Sequence, residues 1–174
     1  MNILLGVTGG IAAYKSAEFV SLAVKQSHMV RVVMTENAAR FVGPVTFEGL
    51  CGHPVLVGQD HLANGQAMAH IEWARWAERV VVAPATANAI AKMAIGLADD
   101  ALSTILLATR APVVIAPAMN TAMWEHPTVQ RNLGWLSERD NVTVMEPIAK
   151  RLACGEEGPG ALPDPAAILQ AVTL

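Results

Sequence analysis

The sequence predicts an α/β fold: one three-layer, doubly wound domain around a parallel sheet. Two observations carry this. Short, uniformly apolar strand segments alternate with segments whose apolar residues recur every three or four positions. The strands are also apolar throughout rather than alternating, as a parallel sheet covered on both faces requires.

Taken in order, Ile3–Val7 predicts the first strand, Gly9-Gly10 a turn, and 11–27 a helix in which Ala13, Ala17, Val20 and Val24 share a face. Val30–Met34 predicts the second strand, closed by Thr35 as an N-cap. Residues 44–58, with Pro44, Gly49, Gly52 and Pro54, are expected to be irregular. Val80–Ala83 predicts a third strand, followed by a helix over 87–97. Pro112–Ala116 and Val142–Met145 predict the fourth and fifth strands. Gly155, Gly158, Pro159, Gly160, Pro163 and Pro165 crowd the stretch 148–165, which is expected to be a mobile flap before one last short helix.

The 174 residues, 53% of them hydrophobic, suit a single domain over 1–174 with a proper core. No apolar run approaches the ~20 residues of a membrane-spanning helix, and the N-terminus lacks a basic leader. A net charge of −3 gives no basic footprint for nucleic acid. Two cysteines, Cys51 and Cys154, are too few for a disulfide framework, so a reducing cytoplasm is expected.

In open α/β sheets, ligands bind beyond the carboxyl ends of the strands, and four informative segments fall there. Gly6–Lys15 joins a strand to a helix through glycines that admit a ligand close to backbone N–H groups, or that simply make a tight turn. It is neither G-x-G-x-x-G nor a Walker loop, which disfavours dinucleotides and nucleoside triphosphates. In Ala83–Ala89, Thr86 and Asn88 stand where a phosphate or an ordinary cap could sit. In Ala116–Trp124, Asn120 suits a substrate carboxylate or amide as well as a helix cap. Cys154 lies in a glycine-rich stretch, poorly placed for packing and well placed to donate a proton or attack. Cys51 reads as structural. His70 stands alone, with no second ligand at zinc spacing, and no Gly-x-Ser-x-Gly elbow is present.

Together, Gly9–Lys15, His70-Ile71, Pro84–Asn88, Ala98–Asp100, Pro117–Asn120 with Met123-Trp124, and Ala153–Glu156 resemble the homo-oligomeric flavin-containing cysteine decarboxylases, in the family order. The resemblance implies a flavodoxin/Rossmann-like subunit that binds FMN and assembles as trimers or dodecamers. It places flavin contacts on Gly9, Gly10, Ile11, Thr35, Thr86, Ala87, Asn88 and Ala118. It makes His70 the base, Asn120 the carboxylate-binding amide and Cys154 the proton donor. Arg151, Leu152 and Ala153 become substrate-lining residues, and 148–165 the substrate flap.

In such chemistry, oxidation at the thiol end gives a thioaldehyde, and carbon dioxide loss leaves an enethiolate. Members with the cysteine then reduce this to the saturated amine thiol. The motifs are most similar to members acting on the small molecule 4′-phosphopantothenoylcysteine. The alternatives are members acting on a peptide's C-terminal cysteine, or a non-catalytic FMN protein. A flavin prenyltransferase fits the Asn120 and Cys154 motifs poorly. One departure is Leu162, which stands where the family flap carries methionine.

Overall fold

A computed structural model describes residues 1–59, 69–153, 155 and 157–174. Strand β1 (Asn2–Val7) ends in Thr8-Gly9-Gly10, and a 3-10 turn over Ile11–Ala13 opens α1 (Tyr14–Lys25). Strand β2 (Met29–Met34) follows. The hydroxyl of Thr35 accepts the Ala38 N–H at 3.2 Å and so caps α2 (Glu36–Ala39). Next come α3 (Pro44–Cys51), β3 (Leu56–Val57), α4 (Ala69–Trp76) and β4 (Arg79–Ala85). Then α5 (Ala87–Ile95), α6 (Ala101–Ala108), β5 (Val113–Pro117), α7 (Thr121–Trp124) and α8 (Pro127–Ser137) lead to β6 (Val142–Val144). The chain closes with β7 (Ile148–Arg151), β8 (Glu157–Ala161) and α9 (Pro165–Thr173).

Strands β1 to β6 form one parallel sheet in the order β3-β2-β1-β4-β5-β6, the doubly wound α/β arrangement expected. The sheet's two faces explain its uniformly apolar strands. Ile3, Leu5, Val32 and Val81 face a layer carrying Phe19 of α1, Phe47 of α3 and Ile168 of α9. Leu4, Val33, Val80 and Val82 face the opposite layer, with Trp73 of α4, Ile90 of α5, Ile105 of α6 and Leu136 of α8. Nearly all of these side chains are inaccessible to solvent, and each contributes roughly 1.5–3 kcal/mol by leaving water.

Two expectations are corrected. The stretch over 44–58 is not irregular: Gly43 caps α3, Pro44 occupies its first turn, and Gly52 ends it in a left-handed conformation at φ 73°. Leu56 and Val57 then add a sixth strand beside β2. The helix expected over 11–27 begins as a 3-10 turn and stops at Lys25, because Ser27 takes a positive φ of 63°. Within the stretch read as a flap, Ile148–Arg151 and Glu157–Ala161 pair as antiparallel strands, β7 with β8.

Candidate active site

The chain runs outward in one direction from β1 through β2 to β3, and in the other from β4 through β5 to β6. The crevice between β1 and β4, at their carboxyl ends, is therefore the topological switch point where such folds bind ligands. Here β4 shifts register between Val82 and Ala85, which takes the carbonyls of Ala83 and Pro84 out of the ladder. Two buried hydroxyls satisfy them. Ser16 Oγ donates to Ala83 O at 2.6 Å, and Thr8 Oγ1 donates to Pro84 O at 2.7 Å. Thr8 Oγ1 also accepts the Thr86 N–H at 3.0 Å and lies 3.2 Å from Thr86 Oγ1. Thr8, only 1% exposed, thus locks the glycine loop after β1 to the loop after β4. The motif reading missed both Thr8 and Ser16. Their signal was slight: a hydroxyl residue at the end of a strand and another in a helix face otherwise apolar.

Two cavities open along this edge and meet over Gly9, Thr86, Ala87 and Met123. The first, of about 520 Å³, has mainly apolar walls. It gathers the candidates Gly9, Gly10, Ile11 and Ala118 with Asn120, and from the hairpin side Arg151, Leu152 and Ala153. No side chain caps the turn at Gly10, so backbone N–H groups at Ile11 and Ala12 are left for a ligand. The second cavity, of about 500 Å³, is polar and holds Thr35 and Asn88 together with Thr86 and Ala87. Both threonine hydroxyls accept a helix N–H, Thr35 from Ala38 and Thr86 from Ala89. The Thr35 proton is then left as a donor, whereas the Thr86 hydroxyl also lies against Thr8 Oγ1 at 3.2 Å.

The rim of the polar cavity is held by Lys92, which pairs with Asp99 at 2.6 Å and Asp100 at 3.1 Å. The bond from Lys92 lowers the pKa of the Asp99 carboxyl, whereas desolvation and these acids act in opposite directions on Lys92, with a net rise. Asp100 also caps α6 through a capping box with Ser103. The described lining of this cavity thus carries three carboxylates, Glu36, Asp99 and Asp100, with one cation, Lys92, shared by the last two.

Asn120 turns out to be both cap and wall. Its Oδ1 accepts the Met123 N–H at 2.9 Å at the start of α7, and the residue lines the apolar cavity. That bond fixes which end of the amide is the oxygen. Nδ2, with two N–H donors and no acceptor, is what remains for a ligand. A carboxylate is the group that matches such a donor.

The hairpin closes the far wall. Met119 N–H donates to Gly160 O at 2.9 Å and Thr121 Oγ1 to Pro159 O at 2.9 Å. Gly160, at φ 142°, has its α-carbon against the Met119 carbonyl, so a side chain there would collide with it. Leu162 is buried and lines the apolar cavity, so the leucine-for-methionine departure reshapes a wall of the site rather than the surface.

One described candidate is not brought in. His70 lies in the first turn of α4, half-buried, and is absent from the described lining of both cavities. Cys154 lies outside the described residues. Cys51 packs against the core, where burial pushes its thiol pKa up and Sγ donates to His53 O at 3.5 Å, matching its structural reading.

These walls suit the flat ring system of a flavin: an apolar slot floored by glycine and alanine, beside a polar chamber that holds Thr35, Thr86 and Asn88. Comparison with known proteins agrees. The Flavoprotein family model matches residues 1–173. The coenzyme A biosynthesis bifunctional protein CoaBC of Bacillus subtilis is 47% identical over 169 residues, 97% of this chain and 41% of that protein. CoaBC of Mycobacterium tuberculosis is 47% identical over 163 residues, 94% of this chain and 38% of that protein. The chain thus spans about two-fifths of the length of these relatives. Among solved structures, a mutant PPC decarboxylase complexed with pantothenoylaminoethenethiol superposes with a TM-score of 0.88 at 33% identity, over 99% of this chain and 96% of that one. The FMN-dependent cysteine decarboxylase SpaF superposes with a TM-score of 0.81 at 36% identity, over 98% and 97%. With its fold and nearly its whole length matched, this chain belongs to the Flavoprotein family.

Proposed function

We propose that this protein is an FMN-dependent decarboxylase that converts 4′-phosphopantothenoylcysteine to 4′-phosphopantetheine in coenzyme A biosynthesis. The observation that carries the reading is Asn120, a donor-only amide fixed by its own cap bond in an apolar, glycine-floored cavity. It is built to hold a carboxylate where little water competes. The names of the CoaBC relatives and of the PPC decarboxylase structure support the substrate, and the polar second chamber supports FMN.

Thr35, Thr86 and Asn88 would hold the phosphate-bearing tail, and Gly9, Gly10, Ile11, Ala87 and Ala118 the ring. A bound FMN supplies reversible two-electron exchange with the cysteine end of the substrate, without which its carboxylate has no electron sink into which to leave. The chain's residues do the rest. Asn120 orients the carboxylate. His70 takes the thiol proton, and Cys154 returns a proton to the decarboxylated carbon. Arg151, Leu152 and Ala153, on the flap over 148–165, cover the substrate. The protein assembles as trimers or as dodecamers of four trimers and works in the cytoplasm.

The test is mass spectrometry of products from the purified flavin-loaded protein. 4′-Phosphopantothenoylcysteine should lose carbon dioxide and nothing else, and the flavin released on denaturation should be FMN. Turnover of a peptide ending in cysteine, with none of the phosphorylated small molecule, would move the protein to the peptide-tailoring class.

A further inference from the structure

The apolar cavity carries three cationic side chains, Lys15 from α1 and Lys150 and Arg151 from β7. None of its described lining residues is an aspartate or glutamate. Lys15 and Lys150 are within hydrogen-bonding reach of each other although both are cations. Burial, followed by the contact with Lys150, pulls the pKa of Lys15 down. Asp164 and Glu18 act on it only through space, in the opposite direction. Two ammonium groups on separate elements, with no carboxylate among the cavity's described lining residues, are repulsive as they stand. A dianion placed between them turns that repulsion into two charge-assisted hydrogen bonds.

The mounting of Lys150 matters as much as its charge. All four residues of β7 are exposed, and among the described residues β7 pairs only with β8. It is β8 that is pinned to the body, through Gly160 and Pro159. A ligand that bridges Lys15 and Lys150 therefore ties the free strand of the hairpin to α1.

We infer that Lys150 is a specificity-determining residue: it shares the substrate's phosphate with Lys15, and that shared contact holds β7 against α1 over the bound substrate. This rests on the phosphorylated-substrate reading above. A substrate without the phosphate leaves the two cations opposed and β7 untied, so selection is exercised through hairpin position as well as through binding.

The test uses the FMN-loaded holoenzyme with 4′-phosphopantothenoylcysteine and pantothenoylcysteine, in the wild type, Lys150→Met and Lys150→Arg. The ratio of kcat/KM for the two substrates should fall roughly 10- to 100-fold in Lys150→Met, mainly through a higher KM for the phosphorylated one, and recover in Lys150→Arg. Added inorganic phosphite should speed wild-type turnover of pantothenoylcysteine and do so much less in Lys150→Met. An unchanged ratio in Lys150→Met, in a wild type that does decarboxylate the phosphorylated substrate, overturns this inference and leaves the proposed function standing. A wild type inert toward that substrate overturns both.

Discussion

Asn120 shows how a capping residue becomes a reagent. Glycine, serine or aspartate could begin α7 equally well, but only the amide presents donors to the cavity once its oxygen is engaged by Met123. Asn120→Asp therefore separates fold from function. Aspartate keeps the cap, so thermal melts should move by no more than roughly 1–2 °C. A second carboxylate facing the substrate's own should cut decarboxylation by roughly 10²-fold or more. A variant that retains full turnover would remove Asn120 from carboxylate binding. Cys154 invites a different measurement, because its proposed task follows carbon dioxide loss. Cys154→Ser should still oxidise and decarboxylate the substrate, yet yield a product two hydrogens lighter than the wild-type amine thiol. A saturated product formed at full rate would show that the thiol is not the proton donor.

At the scale of elements, sequence and structure agree where the physics is periodic. Strands β1, β2, β4, β5 and β6 were legible because burial on both faces demands runs of Val, Ile and Leu. Helix α6, Ala101–Ala108, was not, since it is apolar almost all round and shows no polar face to set a period. Its readable signal was the Asp100–Ser103 capping box. Helix α3 was hidden by the same glycines and proline that bound it, and β3 is only two residues long. In the site, the glycine loop and the Thr86 and Asn120 segments were legible, but as a choice between cap and ligand contact. Thr86 and Asn120 are caps that also line the cavities.

The Thr8 lock was not legible, because it joins residues 76 and 78 positions apart. Its deletion is a sharp test of how the two loops cooperate. Thr8→Val strands the Pro84 carbonyl and the Thr86 N–H in a buried setting, each worth roughly 1–3 kcal/mol. The melting temperature should fall by roughly 3–10 °C, and FMN should bind more weakly because Thr86 faces both chambers. Thr8→Ser keeps the hydroxyl and should restore both properties. Equal melting and equal flavin affinity in Thr8→Val would show that the lock contributes nothing.

At the scale of the whole molecule, the placement of His70 is the feature a single chain leaves open. The fold gathers Asn120, the flavin-contact candidates and the hairpin along one crevice, while His70 sits on α4, outside the described walls of both cavities. Helix α4 descends toward the start of β4, so its first turn lies toward the carboxyl edge of the sheet, on the layer built from α4, α5, α6 and α8. Large apolar side chains remain exposed in that layer, Ile95 at 64% and Leu107 at 60% among them. In the proposed trimer, His70 would reach the cavity of a neighbouring subunit rather than its own. The prediction is one of complementation. His70→Asn and Asn120→Asp should each be inactive alone. Co-expressed in equal amounts and assembled at random into a cyclic trimer, one site in about four pairs an intact His70 with an intact Asn120 from its neighbour. About a quarter of wild-type decarboxylation should therefore return in the mixture. If each chain supplied both residues to its own site, every site would carry one lesion and the mixture would stay inactive. Light scattering on the same samples checks that the mixed assembly has the size of the wild type, so that lost activity cannot be blamed on lost assembly.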